Sequence, residues 1–220
     1  MFEQRLEFLK LGRARFLSHL DTMRVFQRAL TRACIPVMYS QGFNPHMKLS
    51  IAFPLPLGVE SVCEMIDIKL EYPVSGVVDK LNAALPEGFQ ILRTLPLFNL
   101  DKITYIRYEL VFNNEFEDIF DGRALVVQKK TKRGFEDLNI TGHVRRPSLC
   151  VRRRLCPAGH LPGGAVPESP VCRDGVSPPA LRIDLSVKPP QISPAHVLAA
   201  LRIYYPKIEM VGAKRLEMVM

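Results

Sequence analysis

This 220-residue sequence contains no apolar run of the roughly 18 residues that a membrane-crossing helix requires. Its first segment, MFEQRLEFLKLG, mixes acids and bases into the hydrophobic pattern and so does not read as a secretory signal. A Walker loop is missing, as are a G-x-G-x-x-G turn after a strand and a nucleophile elbow. No Cys-x3-Cys-x2-Cys run exists to hold an iron–sulfur cluster at three irons. Of the five cysteines, Cys34 and Cys63 lie inside apolar segments and read as small buried hydrophobes. Cys150, Cys156, His160 and Cys172 do not follow a zinc-ribbon or zinc-knuckle spacing. No metal and no cofactor is therefore expected, and the cytoplasm is the expected compartment.

What the sequence does have is a globular balance, 47 % hydrophobic and 24 % charged residues, with a formal net charge of +8. An excess of Lys and Arg favours phosphate or another acidic surface, because binding releases condensed counterions. The length suits two domains of roughly 100 residues, each able to bury a core.

Residues 1–100 alternate between strand and helix patterns. LEFLKLGRARFL has strand alternation with a turn at Gly12. Ser18 is a good N-cap, and Asp21 three residues later completes an acidic capping box. The helix that follows runs to about Cys34, with Leu20, Met23, Phe26, Leu30 and Cys34 as its expected buried stripe and Pro36 as its stop. KLSIAFPLPLG and CEMIDIKLEY read as a strand pair, VSGVVDKLNAAL as a helix ended by Pro86 and Gly88, and FQILRTLPLF as a last strand. The order is βαββαβ, the ferredoxin-like split βαβ unit.

The second half repeats this order more weakly. ITYIRYELVF, ALVVQKKT, LRIDLSV and IEMVGAKRLEMV read as strands, EFEDIF as a short helix, and SPAHVLAALRIY as a helix capped by Ser193 with Pro194 in its first turn. The expected architecture is thus α+β, two ferredoxin-like domains in tandem over 1–100 and 101–220, the second degenerate. An Arg/Pro/Gly-rich interruption at about 144–180 reads as a long loop. Its composition departs so far from both flanks that a stretch read out of frame is the alternative.

Chemistry-bearing residues concentrate in the first half. Arg24, Arg28 and Arg32 recur every four residues on the helix side opposite the apolar stripe, where they could meet successive phosphates or carboxylates. Arg13 and Arg15 lie just upstream. In YSQGFNPHMKLS, Gly42 permits a positive φ and Asn44-Pro45 favours a turn with Phe43 at its tip. Tyr39 and Phe43 could stack on bases while Gln41, Asn44, His46 and Lys48 supply polar and charged contacts, the combination that single-stranded RNA binding uses. The alternative is a plain connector with Phe43 tucked into the core. His19 and His46 are the only acid–base candidates of this half, and such a pair can run metal-free RNA cleavage. His19 in the first helical turn would be favoured as neutral imidazole by the helix dipole. A second basic run from Lys129 to Arg154 includes Lys130, Lys132, Arg133, Arg145, Arg146, Arg152 and Arg153, against Glu136 and Asp137.

The stretch KLGRARFLSHLDTMRVFQRALTRACIPVMYSQGFNPHMKLSIAFPLPLGVES closely resembles the radical-SAM-associated, or radical-SAM-linked, bacterial protein family, long carried as a domain of unknown function. TKRGFEDLNI is similar to that family's lysine–glycine hairpin, with Asn139 where an aspartate is expected. The resemblance implies a domain fused to, or encoded beside, a radical-SAM enzyme of the cobalamin-binding type, near a ribonuclease and large-subunit ribosomal proteins. Without cluster cysteines, this chain corresponds to the stand-alone accessory form. Three functions are expected in order: an RNA-binding adaptor for tRNA or rRNA work, a metal-independent endoribonuclease using His19 and His46, or a protein-interaction module docking the radical-SAM enzyme without RNA. No membrane partner is expected.

Overall fold

The computed structural model describes residues 2–114, 124–131, 134–150, 178–189 and 192–220, the side chains of 130, 131, 146, 149 and 150 excepted. Its chain divides into two compact units, residues 1–106 with 214–220, and residues 107–213. Both mix strands and helices, so the protein is α+β, with three α-helices among the described residues.

In the first unit the alternating FEQRLEFLK forms β1 (Phe2–Lys10) and GRARF a 3-10 turn (Gly12–Phe16). Then come α1 (His19–Arg32), β2 (Leu49–Ile51), β3 (Glu60–Leu70), α2 (Val77–Ala84) and β4 (Phe89–Leu95). β1 lies between β4 and β3, antiparallel to both. β2 joins the far edge of β3, also antiparallel, through Leu49↔Ile68 and Ile51↔Ile66. The even-numbered residues of β1 and β3 face the helices, because strand side chains alternate. Leu6, Phe8, Ile66, Ile68 and Leu70 meet Phe26, Ala29 and Leu30 of α1 and Leu81 of α2 in one core. Phe8 and Phe26 pack edge to face at 4.7 Å.

The cap of α1 follows local chemistry. Ser18 Oγ accepts the Asp21 backbone N–H at 3.1 Å and donates to the Asp21 carboxylate at 2.6 Å. The buried stripe differs from the expected one. Thr22 is buried four residues before Phe26, whereas Leu20, about 200° around the helix from Thr22, is exposed. Cys34 is exposed too, in a left-handed conformation with φ 51°. It sits where the helix ends in a Schellman motif, with Ile35 N–H donating to Leu30 C=O and Cys34 N–H to Thr31 C=O, each at 3.1 Å. Reversing the chain there turns the thiol outward and buries Ile35 in its place. Cys63 is buried, as its setting suggested.

The second unit contains β5 (Tyr105–Phe112), β6 (Val126–Thr131), β7 (Gly134–Asn139), β8 (Val144–Cys150), β9 (Ala180–Ser186), α3 (Pro194–Tyr204) and β10 (Met210–Val219). The first residues of β5 and the last of β10 belong to the first unit, where Lys214 and Arg215 pair parallel with Glu60 and Ser61 of β3. Within the second unit the neighbours run β10-β5-β9-β8. Val126–Thr131 does not join that sheet: it pairs with β7 in a separate two-stranded ladder. The strand beside β9 is Val144–Cys150, drawn from the stretch expected to be loop. Its pairing to β9 through Val144↔Leu185 and Ser148↔Arg182 supplies an order that its Arg- and Pro-rich letters hide. Residues 151–177 of that stretch, and the expected EFEDIF helix, lie outside the described residues.

Candidate functional site

The YSQGFNPHMKLS stretch leaves the edge of β3 as a tight hairpin. Met38 N–H donates to Lys69 C=O at 2.8 Å and Lys69 N–H to Lys48 C=O at 3.0 Å, while Lys48 N–H reaches Met38 C=O at 2.7 Å. Further out, Tyr39 bridges Met47, and Ser40 and His46 exchange bonds at 2.8 and 2.9 Å. Gly42 at φ +127° makes the turn that the zipped stem requires. Phe43 at the tip is 106 % exposed, so it is displayed rather than tucked into the core. Gln41, Asn44 and His46 are exposed around it, Tyr39 is half-exposed and Lys48 half-buried.

The α1 arginines have different surroundings. Arg24 pairs with Asp21 at 2.9 Å, and Ser18 and Arg24 together hold the Asp21 carboxyl below the ordinary range. Arg32 donates to the Ala84 carbonyl at the end of α2 at 2.6 Å. Arg28 is exposed with no partner among the described residues. Arg13 is likewise exposed, while Arg15 is half-buried, 3.5 Å from Glu60. Of the second basic run, the Lys130 side chain and all of Lys132 and Arg133 lie outside the described residues.

His19 and His46 belong to different features of the first unit. His19 lines a small internal cavity with Phe8, Lys10, Thr22, Ile51, Leu55 and Glu64. His46 belongs to the hairpin rooted at Lys69. Glu64 and Lys69 are five positions apart on β3, about 17 Å at the rise of an extended strand. General acid and base acting on one phosphate must both lie within hydrogen-bond reach of it.

Two buried charges, Lys10 and Glu64, line that cavity, a third, Arg215, pairs with Glu64, and none was anticipated from the sequence. Lys10 donates to the Leu17 carbonyl at 2.7 Å, and burial pushes its pKa down despite the nearby Glu64 and Asp21. Glu64 accepts from Arg215 Nη1 at 2.8 Å, and Arg215 also donates to the carbonyls of Phe53 at 2.9 Å and Pro54 at 3.4 Å. On the opposite face of β3 the Cys63 thiol is pushed up to about 12, chiefly by burial. A signal existed: Lys10 shares strand parity with Leu6 and Phe8, and Glu64 with Ile66, Ile68 and Leu70, so both stand at inward positions.

Among the described residues no group of three or more His, Cys, Asp and Glu is placed to hold a metal ion. None of the described helices is long and apolar enough to cross a membrane. The chain belongs to the bacterial family described as an uncharacterized protein conserved in bacteria (DUF2344), whose family model matches residues 4–159. None of the curated proteins matches it.

Proposed function

We propose that this protein is an RNA-binding accessory protein of the cytoplasm, built from tandem ferredoxin-like domains, that presents tRNA or rRNA to a radical-SAM enzyme. The βαββαβ order of the first unit, with β1 between β4 and β3 and β2 beyond β3, supports the ferredoxin-like reading there. The radical-SAM partner rests on the family resemblance of residues 10–70. The observation that carries RNA binding is Phe43, fully exposed at the tip of a stem whose bonds run out to Ser40 and His46. A displayed aromatic face stacks on any unpaired base without sequence preference, and His46 and Lys48 can meet the adjoining phosphates. The unpartnered Arg28, with Arg24 and Arg32, adds non-specific phosphate attraction. The histidine-pair ribonuclease stands second, because His19 sits at the cavity and His46 in the hairpin and no observation favours catalysis over binding.

The test is titration of purified protein with total tRNA and ribosomal RNA across a salt series, with the RNA checked for cleavage on the same gels. Micromolar or tighter binding with a steep salt slope and intact RNA is expected. Replacing Arg24, Arg28 and Arg32 with alanine should weaken binding and flatten the slope. Unchanged binding in that variant would remove the arginines from the interface, and no binding at low salt would overturn the RNA reading.

A further inference from the structure

Phe16, Leu20 and Leu57 are 60 %, 66 % and 67 % exposed. They come from three segments that the fold gathers at one end of the first unit. Gly58 N–H donates to the Arg15 carbonyl at 2.9 Å, which sets the loop carrying Leu57 alongside the turn carrying Phe16. Leu55 of that loop and His19 line the same small cavity, so the first turn of α1, with Leu20, abuts the loop as well. Single exposed leucines are ordinary, but a gathered group of large apolar side chains marks a contact surface.

The group is braced by polar side chains, two of them buried. Arg215 holds the Phe53 and Pro54 carbonyls, and Phe53 itself sits at φ 48°. Lys10 holds the Leu17 carbonyl, and Glu60 accepts the Gly12 N–H at 3.0 Å. Burying charged groups to fix loop backbone is costly, and preorganisation of a binding face is what such bracing achieves.

The charge around these residues selects the occupant. Arg13 is exposed without a partner among the described residues. Arg15 lies over the Phe16 ring at 4.8 Å, its Nε is buried without an acceptor, and its reach to Glu60 is a long 3.5 Å. Arg13, three residues before Phe16, thus lacks a carboxylate among the described residues, and Arg15 beside the ring has only the long contact to Glu60. Two of the three apolar side chains, Leu20 and Leu57, offer no flat face on which a nucleobase could stack. We propose that this end of the first unit docks a partner protein whose contact segment carries an apolar anchor flanked by Asp or Glu. The surface does not include Phe43.

The probe is a displayed library of random 12-residue peptides, selected on the full chain and counter-selected on a Phe16→Ser/Leu57→Ser variant. Enriched peptides are expected to join Leu, Phe or Trp to acidic residues. As synthetic peptides they should bind at least tenfold more weakly to the double variant and several-fold more weakly to Arg13→Glu, a surface change that spares folding. Phe43→Ala should bind them normally, so failure here and failure of RNA binding are distinguishable. The proposal falls if no peptide is enriched over the double variant, or if acidic residues are absent from those that are. It also falls if Phe16→Ser/Leu57→Ser dissolves a dimer of the wild type, or if it abolishes RNA binding with Phe43 intact.

Discussion

Arg215 and Glu64 meet inside the first unit at 2.8 Å, their side chains 2 % and 1 % exposed. They lie 151 residues apart in the chain, and the contact ties the last strand to β3. Removing one partner leaves a buried, uncompensated charge. Arg215→Met should therefore destabilise the protein by about 3 kcal/mol or more, while Arg215→Met/Glu64→Leu recovers most of that loss. Urea unfolding midpoints of the two variants check this. Equal losses in both would mean that the loop carbonyls, rather than Glu64, set the role of Arg215.

Phe43 touches solvent and little else, so its loss should leave the fold alone. Phe43→Ala is expected to melt at the wild-type temperature while its affinity for single-stranded RNA drops roughly fivefold or more, as for one lost stacking contact. A lowered melting temperature would show that the ring packs against the protein after all.

His196 gives α3 a pH-sensitive start. Its Nδ1 accepts the Ser193 backbone N–H at 3.1 Å, and burial first, then Lys129, lowers its pKa from 6.5. A histidine held neutral in the fold but free to protonate when unfolded stabilises fully above the unfolded value. That stability is lost as pH falls from about 6.5 through the lowered folded value. His196→Gln keeps a capping acceptor without a titrating group. Between pH 8 and pH 5, wild type should lose more stability than this variant in parallel denaturation curves. Parallel losses would exclude His196 as the source.

Cys34 carries the strain of a left-handed residue with a side chain. Cys34→Gly should raise stability by about 0.5–1 kcal/mol, the relief at this C-terminal position less the added freedom of the unfolded chain. Peptide mapping after brief alkylation at pH 8 should find Cys34 modified and Cys63 protected, since Cys63 is buried with its thiol pushed up to about 12. Rapid labelling of Cys63 in the native protein would contradict the buried environment.

Local chemistry is what the sequence by itself determined. Ser18 and Asp21 announce the start of α1 and Pro36 its end, because capping and steric exclusion act within a few residues. The strand–helix order of the first hundred residues, and the exposed tip at Phe43, likewise follow from periodicity and turn chemistry close in the chain. Tertiary structure decided the rest, wherever the partner is distant. Leu20 and Thr22 exchanged places because the phase of α1 is set by where Phe26 meets Phe8 and Phe89. Val144–Cys150 became a strand because β9 was there to bond it. Lys10, Glu64 and Arg215 could enter the interior only once the carbonyls and the opposite charge that satisfy them had been assembled from across the chain.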